Sequence, residues 1–203
     1  MTVDRGGSWG TEVPRPVDLR VAATDRAAAV ALTDGSGAAV ALAGGDLLRT
    51  VGSRPPGDRA RLLRLPVDLL RVELDDGTTA DAIAHVVAHE PWWRGSWWRG
   101  EALVVMNAEF LGARDVAPRG HPNDGRAEAV WCGAELPSRQ RLAAARRSRS
   151  ATHVPHPLIH TRSAGRHRWE LRRPLEVYAD GQRVGRTATL TVTVRPDAGH
   201  VLV

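Results

Sequence analysis

The sequence contains no lysine: all 28 of its basic residues are arginine, set against 23 acidic residues for a formal net charge of +5. A guanidinium keeps its proton and makes bidentate contacts, so this basicity suits acidic partners such as phosphates, nucleotides, lipid headgroups or nucleic acid. The charge alone does not choose among them, and no nucleic-acid motif accompanies it. Cysteine occurs once, at Cys132, which excludes an internal disulfide. No apolar run approaches 18 residues, so no membrane span is predicted, and Met1 to Gly10 lacks the apolar core of a signal peptide. The expectation is a cytoplasmic protein, peripheral to a membrane if its partner is lipid. Phenylalanine and tyrosine occur once each, yet there are seven tryptophans.

The 203 residues are enough for a full hydrophobic core, and 20 glycines with 13 prolines suit a loop-rich fold. Val17 to Ala23 alternates as a strand does, Thr24 can cap an alanine-rich helix from Asp25 to Leu32, and Val40 to Ala43 reads as a second strand. Gly44-Gly45-Asp46 and a short helix over Leu47 to Val51 follow. The run SRPPGD from Ser53 to Asp58 is a linker, which divides the chain into residues 1–53 and 54–203. Beyond it, short strands alternate with turns: Val67 to Leu74, Thr79 to Ala88, Leu103 to Phe110, Arg126 to Trp131, Trp169 to Leu171, Leu175 to Ala179, Thr187 to Val194 and His200 to Val203. Only Ser138 to Ser148 looks helical there. This spacing predicts a mainly-β fold, a β-sandwich or barrel-like sheet pair, preceded by a minimal α/β unit.

Several segments could carry chemistry. Gly44-Gly45-Asp46 after a strand lets backbone approach an anion, and Asp46 could bind a metal or act as a base; the same residues also make an ordinary turn. RGHPNDGR, Arg119 to Arg126, could converge carbonyls and the Asp124 carboxylate on Mg²⁺ or Ca²⁺, or be a plain Asn-Asp-Gly turn. Asp180-Gly181 reads as a hairpin tip. Eight histidines, among them His85 and His89, His153, His156, His160 and His167, come without an HExxH motif or a second cysteine, so zinc is not expected. The cassette PWWRGSWWRG, Pro91 to Gly100, holds four tryptophans. On a strand they would point to opposite faces, leaving some stacked under Arg94 and Arg99, wedged between sheets, or presented to a ligand or lipid interface. The basic segment Gln140 to Arg149 is a solvated helix face or a contact to phosphate or anionic membrane.

VVMNAEFLGARDVAPRGHPNDGRAEAV, Val104 to Val130, and LEVYADGQRVGRTATLTVTVRPDAGHVLV, Leu175 to Val203, resemble the second domain of the diacylglycerol kinase family, which includes the bacterial YegS-like lipid kinases. GDLLRTVG, Gly45 to Gly52, is similar to that family's N-D-x-A-R-T-L-G segment, and Val67 to Val72 to its x-D-L-x-x-V strand. The resemblance implies a β-sandwich of lipid-kinase type from residue 54, with residues 1–53 as a truncated nucleotide-domain remnant. It implies ATP contact at Gly44, Gly45 and Asp46, and a structural Mg²⁺ held by Asp124 with the carbonyls of His121 and Arg126. The family's catalytic base, a glutamate, corresponds to Gln182; Asp180, two residues before it, is the substitute candidate. Trp92, Trp93, Arg94, Trp97, Trp98 and Arg99 become the lipid or membrane contact. Two functions follow: ATP-dependent phosphorylation of a lipid hydroxyl, impaired by Gln182 and the short nucleotide segment, or a non-catalytic lipid-binding or regulatory module, for which a separate nucleotide-binding chain could be a partner.

Overall fold

A computed structural model describes residues 9–203 of the chain, so the signal-peptide reading of Met1 to Gly10 lies outside them except at Trp9 and Gly10. After strand β1 (Thr11–Pro14) comes a small parallel unit: β2 (Arg20–Ala22), helix α1 (Asp25–Thr33) and β3 (Val40–Leu42). Thr24 caps α1 as its sequence position predicts, its extended backbone placing Oγ1 to accept the Ala27 N–H at 3.2 Å. Ala28 and Ala29 bury the inner face of the helix. The predicted strand from Val17 is shorter than expected, because Pro14 and Pro16 supply no N–H to a ladder and Val17 stands in solvent. β3 pairs in parallel with β2 on one side and with the C-terminal strand on the other, so the α/β unit continues the main sheet.

Helix α2 (Asp46–Thr50) leads to β4 (Arg61–Leu74), β5 (Thr79–Ala82) and β6 (His85–His89). Then come β7 (Ala102–Met106), a two-strand ribbon of β8 (Phe110–Leu111) and β9 (Arg114–Asp115), β10 (Ala127–Cys132), helix α3 (Ser138–Arg147), β11 (His160–Ala164), β12 (Arg166–Ala179) and β13 (Gln182–Leu202). The strands form a mainly antiparallel sheet of eleven in the path β1-β4-β13-β12-β6-β7-β10-β11, with β2, β3 and β5 attached at its sides. Two pairs of strands read separately in the sequence are each one long strand. β13 absorbs the break before His200 as a register shift between Arg195 and Gly199, and β12 absorbs Pro174 between Glu170 and Leu175. Such bulges bend a strand without ending it.

Leu70, Val72, Val86, Val105, Ala129, Val177 and Val192, from six neighbouring strands, share one core, so the sheet coils around it. Leu65, Val67 and Leu69 point to the opposite face, onto α1, α2 and β3. Both faces of β4 are therefore buried along its middle, which accounts for apolar residues at both odd and even positions from Leu65 to Val72. β11 went unread because HTRSA has no apolar alternation; it is an exposed edge strand on β10. Its residue His160, and the buried His167 of β12, thus belong to the sheet.

The tryptophan cassette is not a strand. It forms two single 3-10 turns, Trp92–Arg94 and Ser96–Trp98, joined at Gly95, whose φ of 97° closes the first turn. Pro91 lacks the N–H a ladder would need, and glycine alone takes that φ without strain.

Candidate functional site

The Gly44-Gly45-Asp46 loop sits between β3 and α2, and its partner comes from α1. The Asp25 carboxylate accepts the Asp46 N–H at 2.6 Å and the Leu47 N–H at 3.1 Å. A Cβ on Gly45, where φ is +97°, would stand 2.3 Å from Asp25 Oδ1. Glycine is thus required here, and what approaches it is the protein's own carboxylate. Asp46 Oδ2 lies 3.2 Å from His85 Nε2, and Asp46 Oδ1 accepts the Gly112 N–H at 2.9 Å. Asp180 occupies the left-handed first position of the β12–β13 turn, with φ 47°. It accepts the backbone N–H groups of Ile83, Ala84 and His85 at 2.7, 3.0 and 3.0 Å.

Electrostatics in this cluster follow from burial against partners. Burial raises the Asp25 pKa from 3.8 to about 6, the two N–H bonds opposing it only in part. Burial also keeps Asp180 above the ordinary carboxylate range despite its three N–H bonds. Burial alone would lower the pKa of His85, but the Asp46 hydrogen bond and the charges of Asp180, Asp46 and Asp25 overcome it, so the imidazole holds its proton more tightly. Asp46 is lowered: burial is outweighed by His85, the Gly112 N–H and Arg49. One donor atom each from Asp25, Asp46 and His85 lie within 4.8 Å of one another.

At the RGHPNDGR turn, the organising residue is Asp68 of β4, which is fully buried. Its carboxylate accepts from Gly125 N (2.7 Å), Asp197 N (2.9 Å) and Asn123 Nδ2 (3.2 Å), while Asp124 Oδ1 accepts the Arg126 N–H at 2.9 Å. Burial raises both Asp68 and Asp124, and for Asp68 the charges of Asp124 and Asp197 add to it. Asn123 Oδ1 is buried without a hydrogen-bond partner.

A third feature lies on the outer face of β7 and β10. α3, the second 3-10 turn and the β8–β9 ribbon enclose a cavity of about 320 Å³, walled by Trp97, Val104, Val130, Trp131 and Leu136 among others. Trp98 is both a wall of the cavity and an exposed surface residue, so the cavity reaches the surface at a tryptophan; Trp92 and Trp93, in the preceding turn of the same cassette, are 78% and 59% exposed. Arg141 ties these parts together: buried, it donates to the carbonyls of Leu136, Trp97, Gly100 and Gly133 at 2.5–3.0 Å. This removes Arg141 from the solvent-facing basic stretch, while Arg139, Arg146, Arg147 and Arg149 remain exposed.

No family model and no curated protein matches the sequence. Among solved structures, three crystal structures assigned as diacylglycerol kinases of Bacillus anthracis str. Sterne match 91% of this chain at 14% identity. The match covers 77%, 77% and 75% of those chains, with TM-scores of 0.63, 0.60 and 0.61. This chain has the diacylglycerol kinase fold. On that fold, Gly44, Gly45, Asp46 and Asp180 come together, joined by His85 and Asp25, whereas Gln182 is exposed on the strand beyond the turn. His121, Asp124 and Arg126 share a turn, with the Arg126 side chain directed to Ser163. Trp97 is half-buried against His89, and Arg94 pairs with Glu90 at 3.4 Å. The one cation–π contact found among the described residues is Arg49 over Phe110, away from the cassette. Sequence reasoning gives Asp25, Asp68, Asn123 and Arg141 no role of their own: each lies inside a segment that reads as a whole, as a helix start, a strand, an Asn-Asp-Gly turn and a basic helix face. His85 and His89 go to different partners along β6.

Proposed function

We propose that this chain is a lipid-binding protein that works at an anionic membrane surface and is built on a lipid-kinase fold without phosphoryl transfer of its own. The observation that carries this reading is the apolar cavity that opens at the exposed Trp98, in a cassette that also exposes Trp92 and Trp93. Tryptophan favours the headgroup level of a bilayer, and Arg94, Arg99, Arg139 and Arg146 supply cations around it. Ser138 Oγ donates to the Trp98 carbonyl at 2.9 Å, so the first turn of the basic helix is fastened to the cassette. The solved proteins that share the fold, assigned as diacylglycerol kinases, support lipid as the ligand class. No helix among the described residues is long and apolar enough to cross a membrane.

The Asp25 carboxylate supports the absence of transfer. It takes the Asp46 and Leu47 N–H groups and crowds the space over Gly45, which speaks against a nucleotide phosphate at this loop. A separate nucleotide-binding chain remains the partner that would supply transfer. Mg²⁺ is a different case. The mutual repulsion of Asp68, Asp124 and Asp197 and the unpartnered buried Asn123 Oδ1 form an oxygen-rich turn that suits a hard cation. Asp124 and the carbonyls of His121 and Arg126 would hold the ion, and its role would be to brace the turn.

Co-sedimentation with phosphatidylglycerol and phosphatidylcholine vesicles tests the reading. Binding to the anionic vesicles at low salt, weakened by high salt and by Trp92→Ser with Trp93→Ser, is expected; no binding at low salt overturns it. The competing reading, phosphorylation of a lipid hydroxyl, is favoured by the Asp46–His85–Asp180 grouping. Transfer of radiolabel from ATP to mixed lipid acceptors, or turnover appearing on Gln182→Glu, would establish it instead.

A further inference from the structure

Asp25, Asp46 and His85 stand at the starts of three elements, α1, α2 and β6. One donor atom of each lies within 4.8 Å of the other two, and Asp46 Oδ2 and His85 Nε2 are 3.2 Å apart. His85 is 7% exposed and its Nδ1 is buried without a hydrogen-bond partner, so the working atom of the ring is the Nε2 turned toward the carboxylates. We infer that Asp25, Asp46 and His85 bind a single divalent ion of the zinc class, which fastens the α/β unit to the main sheet.

Donor chemistry sets the metal. One imidazole nitrogen with two carboxylate oxygens suits Zn²⁺, Co²⁺ or Mn²⁺, whereas Mg²⁺ and Ca²⁺ prefer sets made of oxygen alone. Spacing permits it: bonds of about 2.1 Å put neighbouring donors about 3–3.5 Å apart, a distance the Asp46–His85 pair already meets. The Asp25 oxygen has to move in by no more than about 1.5 Å. Neither acid gives up its backbone bonds to the Asp46, Leu47 and Gly112 N–H groups, since each carboxylate oxygen has a second lone pair. Charge calls for a cation. Asp180, held by the Ile83, Ala84 and His85 N–H groups, adds its charge, so that three carboxylates act on one imidazole. The guanidinium whose charge reaches Asp46, that of Arg49, donates to the Gly112 carbonyl. The all-oxygen RGHPNDGR turn is a separate place for a hard cation, and this inference stands whether or not the chain binds lipid.

The test titrates the chelator-stripped protein with Co²⁺, whose visible absorption reports nitrogen and oxygen ligands, and then displaces it with Zn²⁺. Saturable one-to-one absorption is expected in wild type and in Asp124→Ala alike, lost on adding Zn²⁺ and retained in a large excess of Mg²⁺. Asp25→Asn and His85→Gln should each weaken Co²⁺ by at least about a hundredfold. Zn²⁺ should raise the melting temperature of wild type and Asp124→Ala but not that of Asp25→Asn or His85→Gln. Anomalous scattering at the cobalt edge, from wild-type crystals soaked in Co²⁺, locates the ion without any variant and decides the matter should a variant fail to fold. A peak among Asp25, Asp46 and His85 is expected. No saturable absorption, unchanged affinity in Asp25→Asn and His85→Gln, or a peak only at the Asp124 turn or at a histidine outside the cluster each overturns the inference.

Discussion

Replacing Asp25 by asparagine isolates the charge that closes the Gly44-Gly45-Asp46 loop. The folded-state pKa of Asp25 is raised from 3.8 to about 6, so the folded chain holds its proton over a range where the unfolded chain has lost it. For a raised acid the sign is unfavourable at neutral pH: stability is greatest below the unfolded value and falls as pH climbs toward the folded one. About two pK units at 1.36 kcal/mol each give about 3 kcal/mol lost between pH 3 and 7, most of it between pH 4 and 6. His85 keeps its proton through that interval, since its pKa is raised. Asparagine retains one acceptor for Asp46 N or Leu47 N and turns an N–H₂ toward the other, so the variant is less stable than wild type at pH 4. Between pH 4 and 7 that gap should narrow by about 2 kcal/mol, or close, because only the wild type acquires the buried charge. Urea denaturation of both proteins at four pH values measures it. Parallel stability curves would refute the argument, since a solvated Asp25 would have nothing to lose on ionising.

Gly45→Ala should cost about 3 kcal/mol by thermal or urea unfolding, because the new Cβ meets Asp25 Oδ1 at 2.3 Å in a left-handed backbone; a smaller loss than about 1 kcal/mol would mean that the carboxylate moves aside freely. Arg141→Met should lower the melting temperature by about 10 °C, four charge-assisted bonds to carbonyls being lost from a buried site, and should expose Trp97 to quencher; unchanged quenching would separate the cassette from α3. Asp124→Ala should unfold at a lower temperature and lose the stabilisation that Mg²⁺ gives wild type. An equal Mg²⁺ response in both proteins would remove the cation from this turn.

Local signals in the chain carried the elements that depend on neighbours in sequence. Thr24 before an alanine run, Asp180-Gly181 between apolar strands and the alternation of Val67 to Leu74 each describe a cap, a turn or a strand, and each is where the residues predicted it. The same local view failed where two chain segments compete or combine. Pro174 and Pro196 look like strand ends, yet each falls at a register shift against one long neighbour, β13 for β12 and β4 for β13, and the pairing resumes beyond it. Pro-Trp-Trp-Arg-Gly-Ser-Trp-Trp has the composition of a strand, and only the need for a left-handed Gly95 betrays the double turn.

By itself the sequence determined a mainly-β chain with a short α/β unit in front, and the order of motifs that resembles lipid kinases, because caps, turns and periodicity act over a few residues. Tertiary structure alone decided what those motifs face. Asp25 reaches Gly45 across 20 residues, Asp68 reaches Gly125 across 57, and Arg141 reaches back 44 to Trp97. Contacts of that separation exist only once the sheet has coiled and buried its faces. Burial then converts an ordinary aspartate or arginine into a group with an energetic need for partners, which the distant segments supply.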